Sequence, residues 1–246
     1  MAFSESELAG LRLAAVFSTV PNCKDYCGPA ESWKAFEEFL KTGKGPEKVA
    51  GLLEKFVAFY PYAELIGEAS GKKPFDLEVV EAYWLGNELL EKIGPEDVAK
   101  MIKAKFEAPH LLPKTFAEKL VAGIPGNPWP HHSFQVLYVH FITGKVAKTV
   151  ENEAQCLVSW ARVERADGDG LVVKGPLVTL ENGKYVLSGL VERKVATKLP
   201  DGFQLAADAA EGDWVGVHWG LAVRKLSDGE LCRLQRYTKH TLEILH

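Results

Sequence analysis

The sequence has no excess of basic residues. Its 246 residues include 29 Lys and Arg against 33 Asp and Glu, which gives a formal net charge of -4. Proteins that bind nucleic acid usually carry clustered positive charge, because much of their affinity comes from contacts with phosphates. The composition therefore gives no reason to expect a nucleic-acid partner.

Long apolar runs are missing as well. The first residues, "MAFSESELAGLRLAAVFS", contain acidic residues early and only a short apolar stretch. A secretory signal begins with positive charge, and a membrane-spanning helix needs about twenty apolar residues. We therefore expect a cytoplasmic location and no membrane partner.

The chain is also poor in cysteine and in catalytic fingerprints. Its four cysteines are Cys23, Cys27, Cys156 and Cys232. Without a secretory signal, they are more typical of free thiols or metal ligands than of a disulfide framework. Paired CxxC motifs, a phosphate-binding loop, a dinucleotide-binding motif and a Ser/His/Asp signature are all missing. The substrate class of any enzyme of this sequence is thus unconstrained.

The first half of the chain has a helical pattern. From residue 5 to residue 123 the apolar positions recur at helical spacing, and Gly and Pro mark the breaks, which predicts six or seven helices. The clearest helix covers "FDLEVVEAYWLGNELLEKIG", with Asp76 as its N-cap and Gly94 as its end. We interpret residues 1–130 as a helical domain.

The pattern changes abruptly at residues 124–132, "IPGNPWPHH", where three prolines and a glycine exclude a continuing helix. The next segment, "SFQVLYVHFITGK", is rich in β-branched and aromatic residues and is predicted to be a strand or an extended segment. Residues 131–153 are therefore interpreted as a strand and linker between two halves.

From Cys156 onward the pattern favours β-structure. Short alternating runs are separated by turn signals, of which Asn182-Gly183 is the strongest because a type I′ turn needs two residues that tolerate positive φ. About five strands in this space predict a small closed or half-closed barrel. Ser227 and Glu230 form a capping-box motif that opens a C-terminal helix. The expected fold class is α+β, with the barrel and last helix in residues 154–246.

Two stretches of the second half, "CLVSWARVERADGDGLVV" and "EGDWVGVHWGLAVRKLSDGEL", resemble the HypC-type chaperone of [NiFe] hydrogenase maturation. That family has a Met-Cys-Leu start, an Asp-Gly-Asp turn and a Gly-Asp-Tyr-Val-x-Val-His-x-Gly strand, and the resemblance covers residues 154–246. In the family the cysteine opens the chain and a Pro-Gly pair follows, whereas Cys156 is internal and Trp160-Ala161 replace that pair. The whole chain also resembles an uncharacterised cytoplasmic family with "YCGP", "VVEAYWLGN" and this HypC-like end.

The resemblance implies an OB-like barrel and a metal-carrying role. It places the iron-binding cysteine of the family on Cys156 and the nearby strand histidine on His218. The implied cargo is iron with cyanide and carbonyl ligands. The implied partners are a hydrogenase maturation factor or the hydrogenase large subunit.

Chemistry allows this role for the two residues. A thiolate is a soft ligand for low-spin iron, and an imidazole serves as a ligand or as a hydrogen-bond donor beside it. One cysteine and one histidine do not complete a structural site, which takes four protein ligands. The alternative is that His218 is a core histidine bonded to backbone groups and that Cys156 is a small buried apolar residue.

The helical half has candidates of its own. Cys23 and Cys27 lie four residues apart beside a Gly-Pro break, a spacing that places two thiols on one face of a helix. They are either a metal or redox pair or two unrelated cysteines. Of the adjacent His131 and His132, only one is expected to face a site, and we assign that role to His132. His140 follows in the predicted strand.

Carboxylates on apolar helices complete the set of candidates. Glu64 and Glu81 sit in apolar contexts, and Asn87 lies near Glu81. Buried polar groups need partners, so the two carboxylates either perform acid/base work, complete a metal shell, or cap and crosslink helices.

Three hypotheses of function follow. The first is a metallocentre-assembly protein in which Cys156 and His218 hold the iron. The second is an enzyme with Cys27 as nucleophile or ligand, His132 and Glu81 as acid/base groups, and the barrel as a docking module. The third is an interaction protein without metal.

Overall fold

The structure is a computed structural model that describes residues 2–140 and 142–245. Helices fill the N-terminal half, a β-sheet region follows, and a helix ends the described chain. The α-helices are α1 (Glu5–Cys23), α2 (Ser32–Thr42), α3 (Pro46–Leu53), α4 (Tyr60–Ser70), α5 (Leu77–Trp84), α6 (Pro95–Ile102), α7 (Lys114–Ala122), α8 (His132–Phe134), α9 (Val150–Cys156) and α10 (Asp228–Ile244). A 3₁₀ helix spans Glu88–Lys92, and π-helical segments span Lys103–Glu107 and Gln135–Val139.

The strands are β1 (Ser159–Asp167), β2 (Gly170–Gly175), β3 (Val178–Glu181), β4 (Lys184–Leu187), β5 (Val191–Ala196), β6 (Trp214–His218) and β7 (Leu221–Leu226). In the described parts of the chain, no helix combines the length and the apolar character needed to cross a membrane.

The long helix predicted from Asp76 to Gly94 is wrong in its length. Helix α5 ends at Trp84, and Gly86 has a φ of 84°, a conformation that interrupts a right-handed helix. A β-carbon at Gly86 would lie 2.1 Å from the ring of Tyr237, so the chain passes too close to α10 for a side chain there. Asp76 does not cap α5 through its side chain; its carboxylate accepts from the backbone N–H of Lys73 at 2.9 Å.

The strand or extended segment predicted for "SFQVLYVHFITGK" is wrong over residues 133–139, because these residues are helical. Helix α8 runs directly into the π-helical segment Gln135–Val139. Phe134, Val136, Leu137 and Val139 are all buried, and a run that is apolar on every side does not distinguish a buried helix from a strand. Phe141, which belongs to the same predicted strand, lies outside the described residues. The segment interpreted as linker contains a second helix, α9, and Cys156 is the last residue of that helix rather than part of a strand.

Five strands of the β region pair in the order β1-β2-β5-β7-β6, and β6 pairs in turn with β1. All pairs are antiparallel except β5 with β7, which meet in parallel at Ala196 and Leu221. Strands β3 and β4 form a separate hairpin. Its turn residues Asn182 and Gly183 have φ values of 51° and 77°, so the predicted turn with two positive φ angles is confirmed.

One hydrophobic core runs through both halves of the chain. It joins Leu11 and Phe17 of α1 with Trp160 of β1, Leu221 of β7 and Leu234 of α10. A smaller apolar cluster lies inside the sheet. The predicted capping box of the last helix is confirmed, since Ser227 accepts from the backbone of Glu230 and Glu230 accepts from the backbone of Ser227. Helices of the first half and strands of the second thus enclose a shared interior.

Candidate metal centre

Three side chains with metal-binding donor atoms meet inside the shared interior. His132, Cys156 and His218 each offer one donor atom, and these atoms lie within 4.8 Å of one another. The three residues are 4%, 8% and 1% exposed. Bonds from a metal ion to nitrogen and sulfur are about 2.0–2.3 Å long, so the three side chains need only a small inward shift to share one ion.

Local backbone structure brings these residues together. His132 is the first residue of α8, Cys156 is the last residue of α9, and His218 is the last residue of β6. The turn after β6 contains Trp219, whose backbone N–H donates to the Gln155 carbonyl at 2.7 Å. This hydrogen bond joins the end of β6 to the end of α9, and so holds His218 beside Cys156.

His218 is held as a neutral imidazole with one nitrogen free. Its Nδ1 lies 2.9 Å from the carbonyl oxygen of Phe17 in α1. Because a carbonyl only accepts, Nδ1 carries the proton and Nε2 carries the lone pair. Burial lowers the pKa of His218 to about 4, although the carbonyls of Phe17 and Cys156 oppose this shift. Nε2 is buried without a hydrogen-bond partner in the described chain, which is the arrangement of a metal ligand oriented by a backbone carbonyl.

His132 is likewise neutral and buried. Burial lowers its pKa well below the usual value, and the neighbouring His218 and His131 lower it further. Its ring packs at 4.5 Å from the ring of Trp84 and 5.4 Å from that of His218, measured between centroids. Its Nδ1 has no hydrogen-bond partner among the described residues. A neutral imidazole is the form that binds metal ions, so both histidines are ready for a cation at neutral pH.

Cys156 supplies the sulfur. Burial raises the pKa of Cys156 well above the usual value, while a hydrogen bond from the Trp219 side chain lowers it. The residue is therefore a thiol in the absence of a cation. A metal ion replaces the thiol proton and converts the sulfur into a thiolate ligand.

A small cavity adjoins the cluster. Its volume is about 40 Å³, which is room for a few groups the size of a water molecule. The three cluster residues line it together with Cys27, Gln135 and Trp84, and most of the remaining wall is apolar. Three of the lining residues have a buried polar side-chain atom without a partner in the described structure, namely Ser18 Oγ, Trp84 Nε1 and Gln135 Oε1. Buried polar atoms usually have partners, so these three atoms are available to a molecule or ion in the cavity.

Cys27 lies on the wall of the same cavity, close to the cluster rather than in a separate helical site. Burial raises the pKa of Cys27 to about 11, which leaves very little thiolate at neutral pH. Cys23 is the last residue of α1, and Cys27 lies in the turn beyond it, so the two do not share a helix face. Both are free thiols.

The two carboxylates do not reach the cavity wall. Glu64 binds Lys105 at 2.7 Å, and Glu81 lies 3.8 Å from Arg233 of α10. Burial raises the pKa of Glu81. Asn87 has a structural role, because its side chain accepts from Leu89 N–H at 3.0 Å and donates to a carbonyl at 2.8 Å. The structure therefore brings Cys27 and His132 to one cavity and leaves Glu64 and Glu81 in ion pairs outside it.

The other two candidate histidines, His131 and His140, have different positions. His131 caps α8 by accepting from the backbone N–H of Ser133, and of the two adjacent histidines His132 is the one in the cluster. His140 lines the cavity, and its Nδ1 lies 3.1 Å from the buried carboxyl of Glu153. Tyr185 of the β3–β4 hairpin donates to the other oxygen of Glu153 at 2.7 Å.

The sequence patterns missed two features of the site. They assigned His132 to an enzyme site separate from Cys156 and His218, and they did not single out Gln135. Spacing held a signal for Gln135, because it follows His132 by one helical turn. No local pattern links His132 to Cys156 and His218, since the contact depends on how the two halves pack.

The fold and site define an α+β protein with a buried His/Cys/His cluster of metal-ligand type. The chain belongs to the family described as "Family of unknown function (DUF6390)", whose sequence profile matches residues 6–246. Comparison with curated proteins and with solved structures gave no match.

Proposed function

We propose that the protein holds one transition-metal ion through His132, Cys156 and His218 and acts in metallocentre assembly. The observation that carries the proposal is the convergence of these three donor atoms within 4.8 Å, with unpartnered imidazole nitrogens at two of them. An unpartnered buried polar atom costs about 1–3 kcal/mol, so an ion that binds these nitrogens would remove that cost.

The donor set favours a metal of borderline or soft character. Two neutral imidazoles and one thiolate suit iron, copper or zinc better than calcium or magnesium, which prefer oxygen. A structural zinc site closes with four protein ligands, whereas this cluster has three and adjoins a cavity. A site of this kind leaves a coordination position open. Small ligands such as cyanide and carbon monoxide match the size of the cavity.

The HypC-like resemblance makes iron with cyanide and carbonyl ligands the cargo. Strand order supports the OB-like barrel that the resemblance implies, because five strands pair in a ring and an OB fold is a five-stranded Greek-key barrel. The two residues carried over from the family, Cys156 and His218, lie together in the cluster. The proposed partners are a hydrogenase maturation factor or the hydrogenase large subunit. Four free thiols suit the proposed cytoplasmic location.

An enzyme built on Cys27, His132 and Glu81 has less support. Cys27 and His132 line one cavity, but the high pKa of Cys27 disfavours a thiolate nucleophile and Glu81 is paired with Arg233 elsewhere. We therefore place the chemistry of the protein at the cluster that joins both halves.

The test is metal analysis and infrared spectroscopy of the full chain, produced and purified without oxygen alongside a hydrogenase maturation system. The wild type is expected to hold about one iron per chain and to show cyanide and carbonyl bands. Cys156→Ser and His218→Gln are expected to lose the metal. Cys232→Ser is the matched control, because Cys232 is exposed on α10.

Two outcomes contradict the proposal. Wild-type protein without metal, or a Cys156→Ser variant that keeps as much metal as the Cys232→Ser control, removes the cluster as the binding site. A further variant, Cys27→Ala, tests whether Cys27 is a metal ligand, as one form of the enzyme scheme requires. The proposal expects this variant to keep its metal. Iron bound without cyanide or carbonyl bands would retain the metal site and reject the cargo.

A further inference from the structure

We infer that the amide oxygen of Gln135 is a fourth, weak and exchangeable donor to the metal held by His132, Cys156 and His218. This inference rests on the proposed function, because it concerns the coordination of the same ion. It extends that function by naming the group that occupies the open coordination position until a small ligand displaces it.

Position on the chain is the first support. Gln135 follows His132 by one helical turn along the continuous helical segment formed by α8 and Gln135–Val139. Side chains three residues apart lie on one face of a helix. Gln135 is 3% exposed and lines the cavity together with the three cluster residues.

Orientation of the amide is the second support. The Nε2 group of Gln135 donates to the carbonyl oxygen of His140 at 2.7 Å. This bond fixes which end of the amide is nitrogen and leaves Oε1 at the other end. Oε1 is buried and has no hydrogen-bond partner among residues 2–140 and 142–245. A buried acceptor that is held in place without a donor, beside three side chains with metal-binding atoms, is available to bind a cation.

The neighbouring polar atoms do not satisfy Oε1. Ser18 Oγ and Trp84 Nε1 are donors on the same cavity wall, yet both are themselves without partners in the described chain. Glutamine oxygen is a known weak axial donor in sites that combine two histidines with one cysteine. A neutral oxygen binds such an ion less tightly than the imidazoles and the thiolate, so it exchanges first. That property fits a site that accepts and releases ligands.

Co(II) absorption spectroscopy of the full chain tests the inference. A charge-transfer band from the thiolate reports Co(II) on Cys156, and the d–d bands report the number and type of the other donors. We compare the wild type with Gln135→Leu, Gln135→Glu and Ser18→Ala. Ser18→Ala is the matched control, because it removes another unpartnered polar atom from the same cavity wall.

The expected result is a charge-transfer band in all four proteins. Gln135→Leu is expected to change the d–d bands and to weaken Co(II) binding by about tenfold. Gln135→Glu is expected to change the d–d bands and to bind more tightly, because it places a charged oxygen at the same position. Ser18→Ala is expected to match the wild type in both measurements.

The two levels of the proposal fail differently. If the charge-transfer band is present but both Gln135 variants keep the wild-type d–d bands and affinity, Gln135 is not a ligand and the three-residue site stands. If the wild type shows no charge-transfer band, the metal site itself is rejected and the role of Gln135 falls with it. Should Gln135→Leu fail to fold, the Gln135→Glu spectrum alone decides between the two outcomes.

Discussion

The imidazole rings of His132 and His218 lie 5.4 Å apart, centroid to centroid, with an angle of 82° between their planes. One ring comes from the helical half and the other from the last residue of β6. Each ring is neutral because burial lowers its pKa, and each has a nitrogen without a hydrogen-bond partner in the described structure. The site therefore exists only when the two halves pack together.

The neutral state of the two imidazoles determines how many protons are released when a metal ion binds. Both imidazoles are neutral above about pH 5, because the pKa of His218 is about 4 and that of His132 is also well below the ordinary value. Cys156 is a thiol, because burial raises its pKa. At pH 6, Co(II) binding is expected to release about one proton, from Cys156. Calorimetry in buffers of different ionisation enthalpy measures the number of protons released per bound ion.

If the two histidines had ordinary pKa values, the number of protons released per bound ion would be higher. Two exposed imidazoles are each about three-quarters protonated at pH 6, so their displacement would raise the total to about 2.5 protons per ion. A measured release above about two protons would contradict the neutral state of the pair. The Cys156→Ser variant, which is expected to lose the metal, serves as the blank for heat that does not come from binding at the cluster.

His131 gives a prediction on pH-dependent stability. Burial lowers the pKa of His131 to about 3 in the folded protein, whereas the unfolded value is about 6.5. Between these values the unfolded state binds one more proton, so the free energy of unfolding falls as the pH decreases from about 6.5. His131 contributes about 1.4 kcal/mol per pH unit to this slope. Its contribution is fully present at pH 7 and above.

The variant His131→Asn isolates this contribution. Asn is a favourable N-cap, so it retains the capping bond to Ser133 while removing the titrating ring. Urea unfolding at about pH 5.5 and 4.5 is expected to show a slope smaller by about 1.4 kcal/mol per pH unit than in the wild type. An unchanged slope would mean that His131 is protonated in the folded state.

Much of the fold was predictable from local patterns. Caps and turns act through neighbouring residues, which is why the Ser227–Glu230 box and the Asn182-Gly183 turn were predicted correctly. Helical spacing likewise identified the helical character of the first half. The helical segment after His131 was mistaken for a strand because it is buried on all sides, and burial on all sides removes the periodic signal.

The site was only partly predictable. Cys156 and His218 were paired through a family resemblance, and the structure does bring them together. His132 joins them through packing between the halves, and Gly86 interrupts the predicted helix because α10 approaches it closely. Long-range contacts of this kind leave no periodic trace in a single sequence.

Gly86 leads to a prediction on stability. Gly86→Ala places a β-carbon 2.1 Å from the Tyr237 ring at a φ of 84°, so we expect a loss of more than about 2 kcal/mol. Gly51 of α3 is the matched control, because a β-carbon added there would have no neighbouring atom within 4 Å. Gly51→Ala is expected to stabilise the protein by about 0.5–1 kcal/mol. Denaturant unfolding of both variants checks the contrast, and equal effects would contradict it.

The buried carboxyl of Glu153 allows a test of how the hairpin is held. Glu153 is 1% exposed, accepts from Tyr185 at 2.7 Å and lies 3.1 Å from His140. Tyr185→Phe is expected to lower the free energy of unfolding by about 1–3 kcal/mol, since a buried oxygen loses its donor. A double-mutant cycle with Glu153→Leu, which removes both acceptor oxygens, measures the coupling between the two side chains. Additive effects would show that the hydrogen bond adds nothing to stability.

Thiol reactivity provides the last prediction. Cys232 is exposed, Cys156 is buried, and burial raises the pKa of Cys27 to about 11. The thiolate is the reactive form, and at pH 8 only about one thousandth of Cys27 is thiolate. Iodoacetamide at pH 8 is therefore expected to label Cys232 first and Cys27 and Cys156 only slowly.

Raising the pH to about 10 is expected to speed labelling of Cys27 by up to about a hundredfold, because the thiolate fraction grows tenfold per pH unit below its pKa. Peptide mapping by mass spectrometry follows each site, and guanidinium-unfolded protein provides the control in which all four thiols react. Fast labelling of Cys27 in the folded protein at pH 8 would contradict the raised pKa and would revive Cys27 as a nucleophile.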